Sequence, residues 1–186
     1  MSKRFPIPEF DRDQYKNMEW SAPKLLSKAE QERLIAAARN GDGKAYGCYP
    51  VEADPAFYDC FRLTGENRHA VLCLTPPKGV RVTGRSWAWE IQRALVLDSI
   101  DPGRSSVLHE WTTPRPMNTR LGPDGGVDLN AGVAYVLFGH RYGDRWIANR
   151  TLADSKPSGE KGFSVLSSSS DSANDFHACN LSFSWN

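Results

Sequence analysis

The apolar segment 132–138 constrains the fold of this chain more than any other stretch of the sequence. Its side chains are almost continuously hydrophobic, which predicts a strand buried on both faces. The segment is far shorter than the roughly 20 apolar residues that a membrane-spanning helix requires. The sequence therefore predicts a soluble protein built around a covered sheet.

Short apolar or alternating runs, separated by glycine and proline, continue this pattern from residue 57 onward. Such runs are typical of strands. They predict strands at 57–64, 69–75, 80–83, 107–113, 163–167 and 177–185. The first two would form a hairpin around residues 65–67, and 114–130 would be a long loop rich in proline and glycine.

Three segments have helical patterns. Ser27 and Glu30 form a capping box ahead of strong helix formers that run to Arg39, and Asn40-Gly41 would end that helix. Segment 86–100 matches both helical spacing and strand alternation, and its length favours a helix. A third helix is predicted over 141–153, where Arg141, Arg145 and Asn149 would share one face.

These elements predict a single α+β domain with a mixed or mainly antiparallel sheet and a few flanking helices. A length of 186 residues suits one hydrophobic core. The proline-containing segment 1–26 is interpreted as an extended N-terminal arm, and 27–186 as the domain.

Charge and cysteine usage limit the function. Lys and Arg total 23 and Asp and Glu total 22, so the net charge is +1 and bulk charge cannot hold nucleic acid. Any anion site must be local. The sequence shows no secretory signal, and its four cysteines match neither a zinc pattern nor a disulfide scaffold, which predicts reduced thiols in or near the core of a cytoplasmic protein.

The strongest candidate site follows the apolar strand. A glycine between a strand and a helix, here Gly139, exposes backbone N–H groups that favour an anion. Arg141 and Arg145 would contact a phosphate, and His140 would titrate or position a proton. Glu110 is a candidate general base or divalent-cation ligand. The alternative is a strand-to-loop transition whose arginines are only solvated.

The sequence Leu137-Phe-Gly-His-Arg-Tyr142 resembles the phosphate-binding turn of the ParB/sulfiredoxin superfamily. The resemblance implies an ATPase or nuclease: a protein that binds ATP or another nucleoside triphosphate with Mg²⁺, hydrolyses it, and binds or cleaves DNA. It implies roles for Gly139, His140, Arg141 and Arg145 at the phosphates. Gly139 stands where sulfiredoxins have a cysteine before His-Arg, which argues against sulfinate reduction.

Two other functions remain open. Six tryptophans and the 114–130 loop would suit a non-enzymatic module that binds a protein or a glycan. Cys60, in Tyr58-Asp-Cys-Phe61, would be the nucleophile of a cysteine hydrolase if a histidine such as His109 or His140 reached it.

Overall fold

The protein is mostly β, so the predicted α+β class is wrong. Its computed structural model describes residues 23–113, 119–121, 126–154, 161–169, 176 and 178–186. Strands account for 49% of the structure and helices for 14%. The difference arises because two of the three segments predicted as helices form strands instead.

The described helices are α1 (Lys28–Arg39) and α2 (Pro55–Cys60), with a single 3₁₀ turn at Gly43–Ala45 between them. The strands, in chain order, are β1 (Gly47–Val51), β2 (Leu63–Thr64), β3 (Ala70–Leu74), β4 (Val80–Ser86), β5 (Gln92–Leu97), β6 (Val107–Thr112), β7 (Thr119–Leu121), β8 (Val127–Leu129), β9 (Val133–Tyr142), β10 (Arg145–Ala148), β11 (Arg150–Asp154), β12 (Gly162–Ser168) and β13 (Cys179–Ser184).

The long strand β9 is the centre of a seven-stranded sheet. Its first half pairs with β3 and its last four residues pair with β10, both on the same side, while β5 covers the other side. β1 extends the sheet beyond β3, β6 extends it beyond β5, and β2 pairs with β10 in parallel. All the other pairings in this sheet are antiparallel, as the sequence predicts.

A six-stranded sheet packs against the first. Its order is β11-β12-β13-β4, and both β7 and β8 pair with the free side of β4. The core between the sheets is fully apolar at its centre, where the Phe163 and Phe183 rings stack with centroids 4.8 Å apart. Val136 and Phe138 of β9 reach this core from the opposite sheet.

The outer face of the seven-stranded sheet forms a second core with the helices. Leu137 and Tyr135 of β9 pack there with Phe57 and Tyr58 of α2 and with side chains of α1. Alternate residues of β9 thus enter two different cores, which explains its unbroken apolar sequence. The prediction that this strand is buried on both faces is confirmed.

Local signals predicted α1 correctly. The Ser27 hydroxyl and Glu30 carboxylate form the capping box, and Gly41 adopts a φ of +82° just after the C-cap Asn40. Strands are also confirmed within 69–75, 80–83, 107–113 and 163–167.

Two other predictions are wrong. Segment 86–100 contains β5 and no helix, because pairing with β9 and β6 satisfies its backbone on both sides. The first four residues of segment 57–64 belong to helix α2, which is capped by Asp54 and has Pro55 in its first turn, and only the last two form a strand. The predicted hairpin is therefore absent, since β2 pairs with β10.

Parts of three predictions lie outside the described residues: most of the 1–26 arm, positions 114–118 and 122–125 of the long loop, and His177. Within the described part, that loop contains β7 and β8. No helix in the described ranges combines the length and apolarity needed to cross a membrane.

Candidate functional site

The helix predicted after Gly139 is a β-hairpin. Tyr142 of β9 pairs with Arg145 of β10, and Gly143-Asp144 form the two-residue turn, with Gly143 at a φ of +59°. Such turns need positive φ, which glycine adopts without steric cost. No helix N-terminus is therefore formed at Gly139, and the expected row of free N–H groups is replaced by strand pairing with β5 and β10.

Gly139 has a packing function in this hairpin. A Cβ atom placed on it would lie 2.6 Å from Leu63 Cδ2 and 3.2 Å from the carbonyl oxygen of Ile147. Leu63 is fully buried in the core beneath the helices. The absence of a side chain at position 139 thus lets Leu63 of β2 lie directly against β9. This packing accounts for the glycine without any role in phosphate binding.

His140 lies on the opposite face of β9 from Gly139, because side chains alternate along a strand. Its Nδ1 is 2.7 Å from Oδ1 of the buried Asn149, at the crossover between the two sheets. Arg141 is exposed, and its Nε donates to the carbonyl of Gly143 within the hairpin turn (3.1 Å). The structure therefore turns His140 away from Gly139 and Arg141, which the sequence placed in one site with it.

Arg145 lines a cavity of about 450 Å³ between this hairpin, the end of α2 and strand β5. The volume falls within the roughly 300–1,000 Å³ usual for small-molecule sites. The lining residues are Cys60, Phe61, Arg62, Thr64, Arg93, Asp144, Arg145 and Trp146. Three arginines against one aspartate make the lining predominantly basic.

Arg93 is held rigidly in the cavity wall. Its Nε donates to Glu110 Oε1 at 2.7 Å, and its Nη1 donates to the carbonyl of Phe61 at 2.6 Å. Its guanidinium also lies 5.7 Å from the centroid of the Trp146 ring. Glu110, predicted as a general base, is thus the residue that orients Arg93.

Arg62 and Arg145 supply the unbalanced charge. Neither has an ion-pair partner among the residues described. Arg62 is the single described non-glycine residue with a positive φ, +57°, just before β2. A non-glycine residue in this region carries local strain, and such residues concentrate at functional sites.

Cys60 also lines the cavity, but its surroundings do not favour a nucleophile. It is the last residue of α2 rather than part of the predicted strand, and its Sγ donates to the carbonyl of Ala56 at 3.3 Å. The C-terminal end of a helix disfavours a thiolate. No histidine is among the lining residues.

The cysteine prediction is correct for the other three thiols, which are buried, but not for the exposed Cys60. Burial raises the pKa of the Cys73 and Cys179 thiols. Across the described ranges, no group of three or more His, Cys, Asp or Glu side chains is arranged to hold a metal ion.

Sequence reasoning missed Arg62 and Arg93. Arg62 lies between α2 and β2, Arg93 lies in β5 far along the chain, and no spacing rule connects them with Arg145. The strand pairings β2–β10 and β5–β9 bring the three together. A single hint existed locally, in the Asp54-Pro55 signal for a helix start ahead of Arg62.

No protein-family model matches the chain, and no curated protein matches it.

Proposed function

We propose that the arginine-lined cavity binds a phosphate group of a small anionic ligand, with a nucleotide as the class that the sequence favours. The observation that carries the proposal is the convergence of Arg62, Arg93 and Arg145 on one cavity. Guanidinium groups suit phosphate because they donate two parallel hydrogen bonds to its oxygens.

The three arginines would contribute differently. Arg93 is fixed in advance by Glu110 and Phe61, so little side-chain entropy is lost when its remaining N–H groups meet a ligand. Arg62 and Arg145, which lack ion-pair partners within the described part of the chain, would supply the net attraction. Trp146 gives the cavity an aromatic wall beside these cations.

The geometry supports binding better than hydrolysis. Glu110 accepts a hydrogen bond from Arg93, and His140 lies on the other face of the sheet, so neither is placed to activate water in the cavity. The ATPase and nuclease activities implied by the resemblance remain predictions from the sequence.

Two arginines of the same hairpin provide a matched test. Isothermal titration calorimetry of the full chain would use ATP, with and without Mg²⁺, and inorganic pyrophosphate. Arg145→Ala is expected to weaken binding about tenfold or more, since a charge-assisted hydrogen bond contributes roughly 1.5–3 kcal/mol. Arg141→Ala removes the same charge outside the cavity and should bind as the unsubstituted protein does. If the phosphate instead bound at the site predicted from the sequence, which contains both Arg141 and Arg145, both variants would lose binding.

Arg62→Gly separates binding from stability. Glycine adopts the φ of Arg62 without strain, so this variant should be no less stable than the parent protein while binding about tenfold more weakly. The proposal is wrong if none of the three titrations gives heat, or if Arg141→Ala weakens binding as much as Arg145→Ala.

A further inference from the structure

A second cavity, of about 570 Å³, lies between α1, the β1–α2 connection, the β5–β6 loop and the first half of β9. It shares no lining residue with the arginine-lined cavity. Tyr135, its lining residue in β9, is about 23 Å along the strand from Tyr142, where the β9–β10 hairpin turns. The lining residues of this acidic cavity are Lys28, Gln31, Glu32, Ile35, Glu52, Ala53, Asp54, Pro55, Ser99, Ile100, Asp101, Pro102 and Tyr135.

The charge of the lining is predominantly negative, with four carboxylates and the single ammonium group of Lys28. Asp54 caps α2, where its Oδ1 accepts a backbone hydrogen bond at 2.8 Å. The carboxylates of Glu32, Glu52 and Asp101 form no ion pair or hydrogen bond with any described residue. Their charge is therefore available to a ligand.

The buried side chain of Gln31 presents an acceptor in the cavity wall. Gln31 is 4% exposed, and its Nε2 donates to the backbone carbonyls of Leu26 and Glu52, both at 3.2 Å. Because both amide hydrogens are used in this way, the group left for a ligand is Oε1, which accepts only. No described residue donates to Oε1. A ligand with N–H groups would satisfy it.

Tyr135 supplies a second buried acceptor. It is 7% exposed, and its hydroxyl forms no hydrogen bond with a described residue. Burial raises the pKa of this hydroxyl, and the Asp101 carboxylate raises it further, while Arg39 lowers it. The hydroxyl is therefore uncharged at neutral pH and lies within electrostatic range of Asp101, which lines the same cavity. Its oxygen lone pairs can accept from a cation.

The negative charges of the cavity are spread out. No three His, Cys, Asp or Glu side chains within the described ranges are close enough together to hold one metal ion. The same wall contains aliphatic side chains, among them Ile35 and Ile100. A flexible methylene chain that carries several ammonium groups matches both features, because its CH₂ groups pack on aliphatic side chains while its charges reach separate carboxylates.

We infer that the acidic cavity binds a small aliphatic polyamine. Its ammonium groups would pair with Glu32, Glu52 and Asp101, and one of them would donate to Gln31 Oε1 and the Tyr135 hydroxyl. A triamine such as spermidine carries about three positive charges at neutral pH, which offsets the excess of acidic over basic lining residues. This site does not depend on the function proposed for the arginine-lined cavity.

The first test compares ligands. Isothermal titration calorimetry of the full chain at low salt would use spermidine, 1,4-butanediol and MgCl₂. We expect saturable heat from spermidine alone, since the diol lacks charge and Mg²⁺ cannot reach carboxylates that are far apart. Spermidine binding should weaken as NaCl is added, because the lining carboxylates are exposed. Absence of saturable heat from spermidine, or equally tight binding of the diol or of Mg²⁺, would overturn the inference.

A fourth ligand distinguishes a free polyamine from a protein. Nα-acetyl-lysinamide presents one ammonium group on an aliphatic chain, as a lysine side chain of a partner protein would. It should bind at least tenfold more weakly than spermidine, because it can pair with fewer of the carboxylates. Binding as tight as that of spermidine would overturn the polyamine assignment and indicate a protein partner.

The second test uses variants with a matched control. Tyr135→Phe removes only the hydroxyl and should weaken spermidine binding about tenfold, the effect of losing one hydrogen bond to a charged group. Asp101→Asn removes one carboxylate charge and should weaken it about three- to tenfold. Glu66→Gln removes the same charge from an exposed residue outside the cavity and should bind normally. If either cavity variant binds spermidine as tightly as Glu66→Gln, the inference is wrong.

Discussion

Replacement of Asn149 by alanine should destabilise the protein more than any other single asparagine substitution at a described position. Asn149 is 1% exposed and joins three side chains: Gln92, His140 and Ser167. Ser167 would keep two bonds with the backbone of Cys179, and the half-buried His140 would recover a bond to water. Gln92, which is fully buried, would lose the donor to its Oε1.

The magnitude follows from these three outcomes. An orphaned buried acceptor costs roughly 1–3 kcal/mol, and the space left by the amide adds about 1 kcal/mol. The free energy of unfolding should therefore fall by about 2–4 kcal/mol, which lowers the Tm by roughly 4–16 °C in a chain of this size. Urea unfolding followed by tryptophan fluorescence measures the change, and the exposed Asn40→Ala serves as the control.

A double-mutant cycle checks the reasoning. Gln92→Leu combined with Asn149→Leu removes the orphaned acceptor together with its donor, so the pair should cost about 1–2 kcal/mol less than the sum of the single changes. If Asn149→Ala unfolds at the same urea concentration as Asn40→Ala, or if the two leucine changes are additive, the hydrogen bond from Asn149 to Gln92 does not stabilise the folded protein.

Three further predictions concern packing, thiols and alkaline pH. Gly139→Ala should lower the free energy of unfolding by about 1–3 kcal/mol, because its Cβ would clash with Leu63; a neutral effect in chemical denaturation would contradict the packing function. Ellman's reagent should modify Cys60 in the folded protein and the three buried thiols only after unfolding, so rapid reaction of more than one thiol would count against this structure. Burial raises the pKa of Tyr58 from 10.0 to about 12. Since the unfolded chain ionises first, stability should fall by about 2 kcal/mol as the pH rises from 10 to 12. The free energy of unfolding of Tyr58→Phe, measured over the same pH range, should lack this loss. A loss as large as that of the parent protein would argue against the burial effect.

Short-range signals in the sequence determined some elements correctly. The capping box of Ser27 and Glu30 satisfies backbone donors within one turn, so α1 depends little on the rest of the chain. The apolar run in β9 likewise required burial on both faces, whatever its neighbours are. The near-zero net charge predicts that any anion site is a small local patch, and this stays a prediction.

Some segments match both helical and strand periodicity, and only tertiary contacts determine which structure they adopt. In 141–153, Arg141 and Arg145 suit one helix face, yet they also suit a hairpin whose turn is Gly143-Asp144. A hairpin is favoured because β9 and β2 offer backbone partners on both sides of β10, whereas a glycine near the start would weaken a helix. Segment 86–100 follows the same rule: its spacing suits a helix, but pairing with β9 makes part of it strand β5.

The sequence by itself determined the capped helix, the buried strand and the presence of a local basic segment, because each depends on residues close together along the chain. Only the tertiary structure decided that Arg145 joins Arg62 and Arg93 while His140 faces a different network. The physical reason is strand pairing, because it brings segments that are distant along the chain together, whereas adjacent side chains of one strand, such as those at 139 and 140, point to opposite faces. Neighbours in sequence are thereby separated, and residues from three strands and a helix end form the cavity.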